Sequence, residues 1–298
     1  MKKIFKTMLI MSVIACIFLL TSCAKKPGNI SSKDDSKDSK PTVAVSIVPE
    51  ETFVKSVAGD LVNVITMIPP GQSPETFEPT PDLLEKFSKS KIYFTMNVPS
   101  ETNSILPKAK DFNPDVKIID LPSEVRKTYK DREFSPEERD PHIWLSPKRV
   151  KIMINSITNE LSNLDPKNKS TYEKNASEYI KKLDKADINI KSSLKTLKTK
   201  AIIVYHPAFG YFTDDYGLQM IALEKEGKES TPQDMQKIVD FAKSKGVKTI
   251  FYQAETDSKQ AKTFATEIGG KAEQLAPLDP NYIENLEKMA NTLKSVLK

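Results

Sequence analysis

The sequence predicts an α/β protein of two lobes, each a parallel four-stranded sheet flanked by helices, joined by one long rigid helix. Three observations predict it. Short β-branched apolar runs alternate with helically spaced segments from residue 42 to about residue 164. The same alternation returns after residue 200. Between the two, residues 165–198 carry one apolar repeat with the helical period. Strands that alternate with helices argue for βαβ units and parallel pairing.

In the first lobe, residues 42–164, "TVAVSIVP" reads as a strand, "EETFVKSVAG" as a helix and "LVNVITMIPP" as a second strand. The helix "PDLLEKFSKS" leads to the strand "KIYFTM", and "SILPKAKDF" leads to the strand "VKIIDL". A further helix runs from Pro147 to about Leu164. The linking helix, 165–199, is expected to start at Asp165, with Pro166 in its first position. Its buried stripe is expected at Tyr172, Ala176, Tyr179 or Ile180, Leu183, Ile188 or Ile190, and Leu194. About 30 helical residues would span about 45 Å, which permits small tilts and resists large hinge swings. In the second lobe, 200–298, the strands are "AIIVYHP", "LQMIAL", "KTIFYQ" and "GKAEQLAP", each followed by a helix.

Ahead of the lobes, residues 1–22 have a lysine-bearing start and a short apolar run ending at Leu20-Thr21-Ser22-Cys23. A charged start, about 7–15 apolar residues and a small-residue cleavage site make a secretory signal peptide. The ending resembles a bacterial lipobox, which implies cleavage before Cys23 and lipidation of that residue. Cys16 would leave with the signal, so neither of the two cysteines remains for a disulfide or a nucleophile. Residues 23–41 are too polar to pack and read as a disordered tether. The expected location is the outer face of the bacterial cytoplasmic membrane, with the lipid bilayer as a partner through Cys23. Removing Lys2, Lys3 and Lys6 takes the formal charge from +5 to about +2. Charges of both signs are interspersed and no basic block carries aromatics, so nucleic acid is excluded as a partner.

The chain holds two histidines. His142 stands between Pro141 and Ile143-Trp144, beside the single tryptophan, and His206 lies between Tyr205 and Pro207. One falls in each lobe, and His206 sits just past a strand end, where open α/β sheets bind ligands. Neutral imidazole is the commonest nitrogen donor to transition metals. Two imidazoles do not complete a site, so further donors are required. Phe77, Trp144, Tyr205, Phe209 and Tyr211 cluster near these loops and read mainly as core.

The stretches "VAVSIVPEETFVKSVAGD", "IPPGQSPETFEPTPDLL", "DPHIWLSPKRVKIMINSI", "VYHPAFGYFTDDYGL" and "IFYQAETDSKQA" carry a resemblance. In order and spacing the chain, over 42–298, resembles the metal-binding lipoproteins of zinc and manganese ABC importers. That resemblance implies one divalent metal ion between two lobes, a membrane permease as partner, a monomer, and no enzymatic activity. Its donor positions fall on Glu75, where histidine is usual, on His142, on His206 and on Asp279, with Glu255 in reserve. Glu78 better matches the family's own glutamate in "FEPTP". The carboxylate at position 75 leaves zinc and manganese both open, with zinc preferred. The histidine-rich loop of many zinc members is missing: "PSEVRKTYKDREFSPEERD" has no histidine and reads as a solvated loop.

Other readings make separate demands. A metal-dependent hydrolase needs an open coordination position and a general base, and the sequence has no His-Glu-x-x-His helix and no nucleophile elbow. A siderophore- or corrinoid-binding lipoprotein would call for arginines or an aromatic wall instead of one histidine per lobe. An adhesin role is compatible with metal import, and nothing in the sequence decides it.

Overall fold

A computed structural model describes residues 40–225, 228–255 and 258–297. The expected signal peptide, the lipidated Cys23 and the tether up to residue 39 lie outside these residues. The first sheet holds β1 (Thr42–Val45), β2 (Asn63–Thr66), β3 (Ile92–Thr95) and β4 (Lys117–Asp120). All pairs are parallel, in the order β2-β1-β3-β4. Helices α1 (Val48–Ala58), α2 (Pro81–Phe87), α3 (Ala109–Phe112) and α4 (Leu121–Arg126) connect or follow these strands. The charged segment expected to be a solvated loop is ordered instead. Most of it forms α4 and a hairpin of β5 (Glu133–Ser135) and β6 (Glu138–Arg139). Its charges pair with one another, as in Arg126–Asp131 and Arg139–Asp131, so the segment is structured although most of it stays at the surface.

Helix α5 (Pro147–Leu164) closes the first lobe, and α6 (Lys169–Lys195) is the long connecting helix. At 27 residues, α6 is about 40 Å long. It begins three residues later than expected, after a 3-10 turn at Pro166–Asn168. Asp165 does not cap it. Its carboxylate accepts from Asn168 Nδ2 at 2.6 Å and from the Tyr172 hydroxyl at 2.9 Å. The buried stripe is Tyr172, Ala176, Tyr179, Leu183, Ala186, Ile190 and Leu194, while Ile188 faces out at 67% exposure. The stripe packs on α1, on α5 and on the last helix.

The second lobe repeats the plan with β7 (Ala201–Val204), α7 (Gly210–Tyr216), β8 (Gln219–Ala222), a two-stranded ribbon of β9 (Glu224–Lys225) and β10 (Lys228–Glu229), and α8 (Pro232–Lys245). It continues with β11 (Thr249–Gln253), α9 (Ser258–Glu267), β12 (Lys271–Leu275) and α10 (Tyr282–Val296). The sheet order β12-β11-β7-β8 is again parallel. Strands β7 and β11 flank the point where the order reverses, so residues just beyond their ends lie where such sheets take ligands. His206 follows β7, and Glu255 follows β11.

One buried apolar cluster crosses both lobes, from Val43 and Phe53 through Trp144 and Tyr211 to Tyr282 and Leu293. Trp144 stitches the lobes directly. Its indole N–H donates to the Pro277 carbonyl at 2.9 Å, and Tyr282 donates to the Trp144 carbonyl at 2.6 Å. Swinging the lobes wide apart would expose this shared core, so the packing favours small tilts.

A candidate metal centre between the lobes

Glu75 lies in the long connection after β2. The Ser73 hydroxyl donates to its Oε2 at 2.7 Å and accepts the Glu75 N–H at 3.3 Å. This holds one carboxylate oxygen and leaves Oε1 to point elsewhere. His142 begins a 3-10 turn, Ile143–Leu145, behind Pro141. Its backbone N–H and its Nδ1 both bond to Asp140 Oδ1, at 3.0 and 2.8 Å. His206 follows β7, and its Nδ1 lies 2.9 Å from Glu224 Oε2 at the start of β9. Both imidazoles are buried, at 3% and 7% exposure. With each Nδ1 bonded to a carboxylate, both Nε2 atoms are turned to the same point.

The three free donor atoms form a small triangle. His142 Nε2 and His206 Nε2 are 3.3 Å apart, and Glu75 Oε1 is 3.5 Å from the first and 3.3 Å from the second. Tetrahedral bonds of about 2.0–2.1 Å require neighbouring donors about 3.3–3.4 Å apart, whereas right-angled bonds of that length would need about 2.9 Å. The triangle therefore fits a small tetrahedral ion with little movement. Among the described residues these three are the His, Cys, Asp or Glu group whose ligand atoms all lie within 4.8 Å of one another. They open into a cavity of about 770 Å³, walled also by Phe134, Pro207 and Arg139.

The acids around the triangle favour protonated rings in the absence of a cation. Burial opposes ionisation of Glu75, but hydrogen bonds from His142 and His206 outweigh it and hold the carboxyl well below the usual carboxylate range. For His142, burial favours the neutral ring, and the bonds to Asp140 and Glu75 reverse that and push its pKa up. For His206, burial is likewise overcome by Glu224 and Glu75, which raise its pKa to about 9. A pocket that stabilises positive charge on two rings is also suited to a divalent cation that displaces those protons.

Of the five candidate donors, the fold brings three together and leaves two outside the triangle. Asp279 follows β12, and its Oδ1 accepts the Asn281 N–H at 2.8 Å, two residues on. The N-cap of α10 is Asn281, so the aspartate braces the turn before the helix. Glu255 is half-buried. Its Oε2 has no hydrogen-bond partner among the described residues, and burial together with the charge of Glu75 pushes its pKa up. Sequence reasoning missed Asp140, Glu224 and Phe134. Asp140 had a signal, two residues before His142 in "DPH". Glu224 had none, because only the turn after β8 carries it to His206. Of the flanking aromatics, Trp144, Phe209 and Tyr211 are core, while Phe77 and Tyr205 are partly buried. Phe134, with its ring 6.3 Å from that of His142, is an additional neighbour.

Comparison with known proteins gives the family of the chain. The family described as "ZnuA: Zinc-uptake complex component A periplasmic" matches residues 43–296. The chain belongs to this family. It is 32% identical to the high-affinity zinc uptake system protein ZnuA of Bacillus subtilis, over 93% of this chain and 88% of that protein. It is 29% identical to the zinc-binding lipoprotein AdcA of Streptococcus pneumoniae, but spans only 58% of that longer relative. Among solved structures, a crystal structure of ZnuA superposes with a TM-score of 0.82 at 32% identity, covering 87% of this chain and all of that one. The laminin-binding protein Lmb of Streptococcus agalactiae, described as bifunctional with adhesin and metal-transporting activity, gives 0.76 at 26% identity, with 87% and 100% covered. This is a family of metal-uptake binding proteins and not of enzymes.

Proposed function

We propose that this protein captures one divalent transition metal ion, zinc in preference to manganese, between its two lobes and delivers it to an ABC permease. The observation that carries the reading is the triangle of Glu75 Oε1, His142 Nε2 and His206 Nε2, with edges of 3.3–3.5 Å. Zinc takes imidazole and carboxylate donors in tetrahedral sets, whereas manganese favours more oxygen donors around an octahedron. The zinc-binding relatives support the same choice. Asp279 is proposed as the fourth donor and Glu255 as its reserve, either one reaching the ion by a local adjustment of its turn.

The lobes are taken as 42–164 and 200–298 with the linking helix 165–199 between them. The monomer would be tethered by a lipidated Cys23 to the outer face of the membrane. No helix among the described residues is long and apolar enough to cross a membrane. Delivery requires that the permease favour a state with lower affinity for the ion, which slight tilting about α6 could supply.

The test is competition. The full chain, stripped of metal, is titrated with zinc and with manganese against a chromophoric chelator. One zinc per chain, bound far more tightly than manganese, is expected. Tighter manganese would make Glu75 the mark of a manganese carrier, and no binding of either ion would remove the proposal.

A further inference from the structure

Asp140, which orients His142, is held by Arg132 of its own lobe, and Arg132 in turn rests on the other lobe. Asp140 is fully buried, and its second oxygen receives Arg132 Nη1 at 3.0 Å. The same guanidinium reaches Asp214 on α7 through Nε at 3.2 Å. Around it, the Arg132 N–H donates to the Tyr211 hydroxyl at 2.8 Å, and that hydroxyl donates to the Asp140 carbonyl at 3.2 Å. Arg132 also lies flat across the first residue of α7. A Cβ on Gly210 would come within 2.5 Å of its guanidinium carbon. Gly210 is thus a close-approach glycine with an ordinary backbone conformation. Helix α7 starts four residues after His206, so the helix that follows one candidate ligand carries the surface on which the other's support rests.

We infer that Arg132 is a positioning residue that lets the second lobe set the aim of His142: docked on α7 at Gly210 and Asp214, it fixes the Asp140 carboxylate with one oxygen turned to His142. This inference rests on the metal site proposed above and deepens it. When α7 moves away, Arg132 loses its seat, the Asp140 carboxylate is no longer fixed, and the imidazole is no longer aimed. Lobe tilting then weakens the site without any ligand being pulled out. The Arg132–Asp214 contact alone is too exposed to carry the coupling, since solvent screens such pairs. The close fit over Gly210 and the buried bond to Asp140 carry it. Nearby, Asp215 accepts from Ser146 at 2.6 Å and from Arg149 at 3.1 Å. These bonds keep the lobes docked when Arg132 is removed, so the two roles can be separated.

The experiment is a double-mutant cycle on zinc dissociation from the full chain, read by stopped-flow chelator capture. Arg132→Met removes the fork. Gly210→Ala displaces it from the opposite lobe, and circular dichroism checks that the fold is retained. Each single variant should release zinc about 10–100-fold faster, the range for losing a ligand's supporting partner. The double variant should release it no faster than Arg132→Met alone, because both act through one contact. An unchanged rate in Gly210→Ala, or effects that multiply in the double variant, overturns the coupling. If Arg132→Met does not fold, the rate of Gly210→Ala decides alone. A wild-type chain that binds no zinc removes the metal site first, and the inference with it.

Discussion

Lowering the pH from about 8 to about 6 is expected to weaken zinc binding by about two to four orders of magnitude. The magnitude follows from the triangle. His206 has its pKa raised to about 9, so throughout this window zinc must displace its proton, a tenfold loss of affinity per pH unit. His142 is also raised, by Asp140 and Glu75 against burial, and adds up to a second tenfold loss per unit. Glu75 stays ionised throughout, because the two rings hold its carboxyl low, and adds no slope. The fold responds oppositely. A histidine whose folded pKa is raised contributes stability that is fully present below its unfolded value and is lost as pH rises through the folded one. For His206 that is about 3 kcal/mol, present below about pH 6.5 and gone above about pH 9. Metal-free protein should therefore stay folded at pH 6 while binding poorly. The assay is competition titration corrected for the chelator's own protonation, with released protons counted by an indicator dye. Affinity independent of pH, or zinc uptake without proton release, would refute the reasoning.

Three further outcomes are expected. His142→Ala and His206→Ala should each abolish tight metal binding while circular dichroism stays native, and unchanged affinity in either would sink the site. Asp140→Asn and Glu224→Gln should weaken binding about 10–100-fold by unfixing a ring, with the fourth-donor variants as controls. If Asp279 is the fourth donor, Asp279→Asn should cost affinity and Glu255→Gln should not. The reverse result would assign that role to Glu255.

Much of the architecture could be read from the chain because its signals are local. The alternation of strands and helices, the stripe along residues 172–194 and the isolation of two histidines all depend on neighbours in sequence. What could not be read depends on which partner a polar side chain chooses in three dimensions. Asp165 and Ser146 look like helix caps, yet the first braces the Tyr172 hydroxyl and the second binds Asp215. Thr80 and Thr231, whose surroundings are simpler, do cap their helices. The segment 122–140 looks solvated because its charges cannot be paired by inspection, although Arg132, Arg139 and Asp131 are all used. Glu75 was reached through the resemblance, and the geometry now gives it a reason, with Oε2 anchored by Ser73 and Oε1 within 3.5 Å of both rings. Glu224 meets His206 only because β8 pairs with β7, a contact that no spacing encodes.

The most direct test of the central claim is X-ray absorption at the zinc edge of the full chain loaded with one equivalent of zinc. The account predicts a single four-coordinate site, with nitrogen and oxygen donors at about 2.0–2.1 Å, two of them imidazoles, and no sulfur at about 2.3 Å. A shell of six oxygens without imidazole scattering would place the ion elsewhere and contradict it.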